Sequence, residues 1–250
     1  MAGVFERSDG RRRVEVRQAG SSLRLYVDGV VHTTWTMRHP LTGAIWDALA
    51  LSGSLAPPAT IHTVLLLGVG GGATAQLVRR YLNPARLIGV DIDAELVELG
   101  RRWFKLDEAH MELAHADAAK WLASSEPASY DHIIDDLYTV SRGEPVRPDA
   151  LPPDWWQRVV DRLNPHGVLA VNFGSKEELR SSPLVNDPRL KNRFAGAFGF
   201  HYPQFENVVA AFGPHSLTPH AFRRRIMDLV GLSPSQERRF LGFKLRRLWG

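Results

Sequence analysis

The residues of this sequence that could do chemistry are glycines and carboxylates placed directly after short apolar runs. Residues 64–67 (VLLL) are followed by Gly68, Gly70 and Gly72, and a second apolar run ends at Asp91. A glycine turn lets the backbone approach a ligand closely, and an acid after the next strand lies where ribose hydroxyls bind. Strand, glycine turn, helix, strand and acid together predict a nucleoside-binding site.

Two later predicted strands are also followed by acids. Asp117 follows residues 111–115, and Asp135 and Asp136 follow residues 130–134. Because the carboxyl ends of parallel strands share one edge of a sheet, these acids are expected close to the glycine turn. An acid after the third strand suits an adenine amino group, and Asp136 would then face the reactive end of the bound nucleoside.

Simpler interpretations exist for some of these acids. Asp117 could act only as the N-cap of the helix that begins after it. Asp135 and Asp136 are adjacent, so in an extended segment their side chains point to opposite sides, and only one is expected to face the site. Ile92 and Ala118 each follow a nucleoside-site acid, and together with Asp135 they complete the predicted cofactor-binding set.

The elements that position these residues alternate between strand and helix patterns through the middle of the chain. This order predicts an α/β fold with a doubly wound, mostly parallel, seven-stranded Rossmann-like sheet. Three short alternating runs precede it (residues 13–17, 23–27 and 30–35), and the turn residues between them predict a small antiparallel β segment. Residues 1–13 are polar and basic and are expected to be frayed.

The chain is predicted to have three units. Residues 1–55 form an N-terminal β-hairpin segment and helix, residues 56–220 the nucleoside-binding core, and residues 221–250 a basic helical tail. The tail has eight Arg and Lys residues against two acids. Nucleic acid is a partner that such a charge would suit, but a solvated helix face is the favoured interpretation.

Composition excludes several classes of protein. The 250 residues include no cysteine, so disulfides, thiolate catalysis and cysteine metal sites are excluded, and no metal site is predicted. No apolar run is long enough to span a bilayer, and the N-terminus lacks a signal-peptide pattern. A cytoplasmic protein with no membrane partner is therefore expected.

Five segments in order, LLLGVGGG, GVDID, HADA, YDHIIDD and LNPHGVLAVN, resemble the polyamine aminopropyltransferases, the spermidine synthase family. That family has a class I methyltransferase-like Rossmann core, and the hairpin LYVDGVV resembles its N-terminal strands. The resemblance implies that the glycines line the nucleoside donor, that Asp91 holds the ribose and Asp117 the adenine, and that Asp136 is the catalytic aspartate. It also implies a homodimer.

The chain differs from the family at the positions that bind the charged groups of the donor and the acceptor. The family has an acid at the position of Gly71, a second acid at Thr139 and a glutamine at His32, and its tyrosine, histidine and glutamate before the core are replaced by residues 41–43 (LTG). Because a dication such as putrescine needs buried carboxylates, spermidine synthesis is not favoured. His32, Tyr138 and Trp155 are predicted to contact a small-molecule acceptor.

The favoured hypothesis is therefore a transferase that moves an alkyl group from an S-adenosyl sulfonium donor to a small amine or hydroxyl. A glycine in place of the loop acid admits ordinary S-adenosylmethionine, so methyl transfer is slightly preferred. Aminopropyl transfer from decarboxylated S-adenosylmethionine is the first alternative. Residues 137–153, rich in proline and charge, are expected to cover the site.

The sequence is also compatible with two other functional classes. The glycine turn also fits the dinucleotide fingerprint of an NAD-dependent oxidoreductase. The departures from the family also allow a non-catalytic binding protein that has kept the fold and lost the acceptor site.

Overall fold

The computed structural model describes residues 2–10, 12–36, 39–141 and 144–250, without the side chains at positions 58 and 238. An antiparallel sheet comes first in the chain. Its four strands, paired in sequence order, are β1 (Ala2–Ser8), β2 (Arg13–Ala19), β3 (Ser22–Val27) and β4 (Val30–Thr36). Strands β2 to β4 confirm the predicted N-terminal β segment.

Strand β1 corrects the expectation of a frayed start, although residues 1 and 11 lie outside the described part of the chain. It pairs antiparallel with β2, from Ala2 opposite Gln18 to Ser8 opposite Arg13. Six of its seven residues are exposed, so the strand has no apolar face for a pattern to reveal. Backbone pairing with β2 and the packing of a single side chain, Phe5, on the cluster below hold the strand, and neither gives an alternating apolar pattern in the sequence.

The remaining strands supply one large sheet and one small hairpin. In chain order they are β5 (Thr63–Leu67), β6 (Arg86–Asp91), β7 (Glu112–His115), β8 (Tyr130–Asp135), β9 (Thr139–Ser141), β10 (Glu144–Val146), β11 (Leu163–Phe173), β12 (Gly196–His201), β13 (Val208–Gly213) and β14 (Lys244–Trp249). The large sheet has the order β14-β12-β13-β11-β8-β5-β6-β7, and β9 pairs with β10.

Helices connect the strands of the large sheet. They are α1 (Ile45–Leu51), α2 (Ala73–Tyr81), α3 (Ala94–Phe104), α4 (Ala118–Ser124), α5 (Trp155–Arg162), α6 (Lys176–Ser181), α7 (Pro183–Asn186), α8 (Pro188–Lys191), α9 (Pro219–Val230) and α10 (Pro234–Phe240). Three 3₁₀ turns lie at Ser52–Leu55, Pro58–Thr60 and Leu106–Ala109. The predicted α/β architecture is confirmed, with eight strands in place of seven.

The sheet is covered on both faces. In β5, Val64 and Leu66 belong to one buried apolar cluster, while Leu65 and Leu67 belong to a second. Strands β7, β6, β5, β8 and β11 run parallel in that spatial order, whereas β13, β12 and β14 are antiparallel to their neighbours. The five parallel strands therefore end at one common edge, as the predicted site requires.

Two predicted unit boundaries do not match the packing. Helix α1, assigned to the N-terminal unit, lies within a main apolar cluster of the core. The C-terminal segment is not a helical tail, because β14 follows α10 and pairs with β12. Leu245 packs on one face of the sheet and Leu248 on the other, which explains the eighth strand.

The N-terminal sheet packs on the core through α3. Val16 and Leu25 of the sheet share a buried cluster with Leu96, Leu99 and Phe104. This contact places β4 and the turn before it beside the glycine turn after β5. In the described residues, no helix has the length and apolar character needed to cross a bilayer.

Candidate functional site

A cavity of about 850 Å³ opens at the common edge of the parallel strands. The structure brings nine of the predicted site residues together in its wall: His32, Gly68, Gly70, Asp91, Ile92, Asp117, Ala118, Asp136 and Tyr138. The other three, Gly72, Asp135 and Trp155, are not part of the wall. The predicted juxtaposition of strand-end acids and glycine turn is therefore present, with three exceptions.

The glycine turn has a backbone that side chains rarely adopt. Gly68, Gly70 and Gly72 have φ values of +84°, +52° and +91°. A Cβ at Gly68 would also collide with the carbonyl oxygen of Asp136. The turn and the Asp136 segment thus lie in direct contact, which only glycine permits at this position. Gly72 has a structural role: it is the N-cap residue of α2, and it packs against the Leu106 side chain.

Asp91 holds the glycine turn with its carboxylate. Its Oδ2 accepts hydrogen bonds from the backbone N–H of Val69 at 2.7 Å and of Gly70 at 2.8 Å, and Oδ1 accepts one from Asp93 at 2.8 Å. Burial raises the pKa of Asp91, and these three hydrogen bonds oppose the rise. The loop amides are already used within the protein, so they are not available to a pyrophosphate as the dinucleotide fingerprint requires.

Gly71 is covered by β4. Its N–H donates to Thr33 Oγ1 at 2.8 Å, and a Cβ added to Gly71 would lie 2.7 Å from that oxygen and 2.9 Å from Thr33 Cβ. Its φ is not positive, so the backbone itself would admit a side chain. The Thr33 side chain therefore excludes the acid that the family has at this position.

Asp117 has both roles considered for it. Its side chain caps α4 by accepting a hydrogen bond from Lys120 N–H at 2.9 Å, and it also lines the cavity. Ile92, next to Asp91, is 68% exposed, which is unusual for a large apolar side chain. Ala118 completes this end of the cavity. An exposed apolar surface between two carboxylates suits the flat face and polar edge of a nucleobase.

Asp136 is the carboxylate at the centre of the edge, and two asparagines support it. Asn172 Nδ2 donates to Asp136 Oδ1 at 2.8 Å, and Asn207 Nδ2 donates to Asn172 Oδ1 at 3.1 Å. Removal from bulk water raises the pKa of Asp136 to about 7, against the opposing effect of the Asn172 hydrogen bond. A carboxyl with this pKa can accept a proton near neutral pH.

Asp135 corrects the predicted cofactor-binding set. It is fully buried, and its carboxylate accepts hydrogen bonds from Arg147 Nη2 at 3.0 and 2.9 Å and from Trp155 Nε1 at 2.7 Å. Trp155, predicted to contact the acceptor, is the first residue of α5, is 3% exposed and packs in the core. The alternation of side chains along the strand sends Asp135 inward and leaves Asp136 at the cavity.

His32 and Tyr138 do line the cavity. His32 Nε2 is buried and has no hydrogen-bond partner among the described residues. Burial, assisted by Arg12, lowers the pKa of His32, so the ring is neutral near pH 7. Tyr138 O–H donates to the Asn172 carbonyl at 3.0 Å, and burial raises its pKa.

Sequence reasoning missed Asn172, Asn207, Thr33 and Arg147. The signal for Asn172 was present, because it is a polar residue near the end of the apolar strand β11. Thr33 and Arg147 gave no such signal, since their partners Gly71 and Asp135 come from distant segments of the chain.

The cavity wall is acidic. Among its described residues it has one arginine, Arg12, against six aspartates: Asp28, Asp91, Asp93, Asp117, Asp136 and Asp149. Arg12 is itself ion-paired with Asp93. Residues 144–151 and 137–141 close one side of the cavity; positions 142 and 143 of this predicted cover are outside the described residues. A site of this charge favours a cationic ligand.

Comparison with known proteins gives a consistent pattern of similarity. A family model described as "Methyltransferase domain" matches residues 64–167. A probable polyamine aminopropyl transferase of Bifidobacterium longum is 28% identical over 64% of this chain and 33% of its own length. The polyamine aminopropyltransferase of Aeropyrum pernix is 25% identical over 80% of this chain and 65% of its own. The chain thus spans between a third and two thirds of these relatives.

The fold agrees with the sequence relatives. The crystal structure of a probable spermidine synthase from Corynebacterium glutamicum superposes with a TM-score of 0.67 at 18% identity, covering 91% of this chain and 86% of that one. The comparisons do not support the preference for methyl transfer and agree better with its alternative, aminopropyl transfer. The predicted resemblance is confirmed: the chain is similar in sequence to polyamine aminopropyltransferases and in fold to spermidine synthases.

Proposed function

We propose that this protein is a transferase that binds an S-adenosyl sulfonium donor and moves an aminopropyl group from decarboxylated S-adenosylmethionine to an amine. The observation that supports it most is the position of Asp136, whose carboxyl has a raised pKa and whose backbone carbonyl lies against the glycine turn. Its relatives are named polyamine aminopropyltransferases, and the chain covers only part of their length.

The residues present fit such a donor. Asp91, Ile92, Asp117 and Ala118 line one end of the cavity, where a ribose and an adenine would lie between carboxylates and an apolar surface. The acidic wall suits a sulfonium, because a nearby negative charge stabilises the bound cation. Nε2 of His32, which has no hydrogen-bond partner in the described part of the chain, would accept a hydrogen bond from, or donate one to, a polar group of the donor.

The chemistry asked of the protein is positioning and proton removal. The amine nitrogen forms a bond to the propyl carbon while the bond from that carbon to sulfur breaks, and sulfur keeps the electron pair as a neutral thioether. Asp136 is placed to accept the proton that the amine loses, and Asn172 holds its carboxylate in place. Residues 144–151 would exclude water from the reacting atoms.

Methyl transfer is the second candidate, and one observation favours it. Thr33 occupies the space in which an acid at Gly71 would meet the ammonium of an aminopropyl arm. Without that acid, the carboxylate-bearing arm of ordinary S-adenosylmethionine is not repelled at this position. The double variant Gly71→Asp with Thr33→Ala should gain preference for the decarboxylated donor, whereas Thr33→Ala alone should not.

Calorimetric titration with the two donors, followed by a transfer assay, tests the proposal. We expect the decarboxylated donor to bind at least tenfold more tightly, about 1.4 kcal/mol. Tighter binding of ordinary S-adenosylmethionine would make methyl transfer the better assignment. Asp136→Asn should abolish turnover while donor binding persists, and the exposed Asp161→Asn on α5 is the matched control. An unchanged rate in Asp136→Asn would remove this residue from the chemistry.

The family resemblance also predicts a homodimer with the N-terminal strands as the contact. Strand β1 is an exposed edge strand, which is compatible with that prediction. Sedimentation equilibrium of the full chain measures the mass in solution, and a monomer at micromolar concentration would contradict it.

A further inference from the structure

The half of the cavity beyond Asp136 differs in character from the nucleoside half, and this difference bears on the acceptor, given the proposed function. Six residues define this acceptor half: Ile45, Trp46, Tyr138, Asn172, Phe205 and Asn207. Asn172 is on β11 and Asn207 immediately precedes β13, on the opposite side of β8 from β6 and β7. The start of α1 lies beside these residues, because Gln204 Nε2 donates a hydrogen bond to the backbone carbonyl of Gly43, just before the helix, at 2.7 Å.

None of the six residues of the acceptor half has a charged side chain. The charged groups that act on Asp136 are Asp135, Arg147 and Asp91. Asp135 is paired with Arg147, and the Asp91 carboxylate is held by the amides of the glycine turn. Asp149, which also lines the cavity, is exposed to water. Among the described residues, Asp136 is therefore the carboxylate with a hydrogen bond to this half, through Asn172.

Three acids in the neighbouring segments do not add a carboxylate to this half. Glu178 acts on Tyr138, but it is paired with Arg147 at 3.7 Å, accepts a hydrogen bond from Gly174 N–H and does not line the cavity. Asp47, next to Trp46, is fully buried, and its oxygens accept hydrogen bonds from Thr42 and from Gly43 N–H. It does not line the cavity, and Glu206, next to Phe205, is exposed and does not line it either.

We propose that the acceptor is a monoamine whose remaining part is uncharged and partly apolar. A second ammonium would be removed from water without a carboxylate to pair with it, and this desolvation is unfavourable. Cation–π contact with the aromatic faces of Trp46 and Phe205 would offset only a small part of it. A monoamine meets Asp136 with its one amino group and buries its apolar part against Ile45, Trp46 and Phe205.

The test compares two amines of equal length that differ in the second ammonium. Pentylamine and pentane-1,5-diamine are titrated calorimetrically into the full chain, with and without saturating 5′-methylthioadenosine. We expect pentylamine to bind at least tenfold more tightly in either condition. Equal affinities, tighter binding of the diamine, or no binding of either amine would overturn the proposal.

A charge introduced into the acceptor half gives a second, independent measurement. Phe205→Glu adds a carboxylate, and Phe205→Gln is its uncharged match in size. Phe205→Glu should reduce the preference for pentylamine to less than threefold, while Phe205→Gln should keep the preference of the parent protein. The same preference in both variants would mean that charge does not select the acceptor, and the proposal would fall.

These results are separable from those that test the transferase itself. Absence of binding by 5′-methylthioadenosine, or absence of transfer from either donor, would count against the proposed function. The ratio of the two amine affinities is measured with and without 5′-methylthioadenosine. It therefore tests the acceptor proposal even if the nucleoside does not bind.

Discussion

Arg147 fastens the segment that closes the cavity to the end of strand β8 by its contact with Asp135. One guanidinium nitrogen, Nη2, donates to both carboxylate oxygens of Asp135, at 3.0 and 2.9 Å. The guanidinium also lies 4.9 Å from the centroid of the Trp156 ring. The Arg147 side chain is 14% exposed and the Asp135 side chain is not exposed at all, so water screens this ion pair little.

Arg147→Met should lower the free energy of unfolding by about 3 kcal/mol, because it leaves the buried Asp135 carboxylate without its cation. Adding Asp135→Asn to this variant should restore most of the loss. Urea unfolding measures both, and limited proteolysis should cut residues 144–151 faster in Arg147→Met. Additive losses in the double variant would show that the two side chains are not coupled.

The pH dependence of transfer should follow Asp136. Its carboxyl must be ionised to accept a proton, and its pKa is raised to about 7, so kcat/KM should rise with pH through about 7. Asn172→Leu removes a hydrogen bond that lowers this pKa, so the profile should move to higher pH. Asn164→Leu, a substitution at the other end of β11, is the control and should leave the profile in place. A profile that Asn172→Leu does not move would exclude this role of Asn172.

The same carboxyl should destabilise the folded protein at high pH. Its pKa is about 7 in the folded state and near 3.8 in the unfolded state, so folding favours the protonated form. This destabilisation of the folded state is absent below pH 4, grows as the pH rises towards 7, and has its full value above pH 7. Asp136→Asn should therefore raise the free energy of unfolding at pH 8 by roughly 1–4 kcal/mol, at about 1.4 kcal/mol per pKa unit. Urea unfolding at pH 5 should show a smaller gain, and equal gains at both pH values would contradict the assignment.

His132 should make the fold sensitive to acid. It is fully buried, Ser52 Oγ lies 3.2 Å from Nε2, and burial lowers the pKa of the ring to about 3. Between the unfolded pKa of 6.5 and about 3, the unfolded chain binds a proton that the folded chain does not, so stability falls as pH falls.

The measurement for His132 is urea unfolding at pH 7.5 and pH 5. The parent protein should lose about 2 kcal/mol more than His132→Leu over this interval, at about 1.4 kcal/mol per pH unit below the unfolded pKa. His62→Leu, at an exposed position, should behave like the parent. If His132→Leu loses as much stability as the parent does, the buried ring is not the source of the acid sensitivity.

Much of the core was predictable from local pattern. The apolar run of β5 is short and uninterrupted, as in buried parallel strands, and β6 and β8 were predicted from short strand-like segments. Residues at the ends of these three strands, Gly68, Asp91 and Asp136, are found in the cavity wall. The pattern failed where a strand has no buried face, as in β1, or where basic residues suggested a solvated helix, as in β14.

The sequence by itself determined where the buried parallel strands and the glycine turn lie and which acids follow those strands, because these properties depend on neighbours in the chain. Only the tertiary structure decided that Asp136 and not Asp135 faces the cavity, that Asn172 holds it from 36 residues away, and that Thr33 covers Gly71. Those relationships depend on how distant segments pack, and a burial pattern along one segment contains no record of the partner that another segment brings to it.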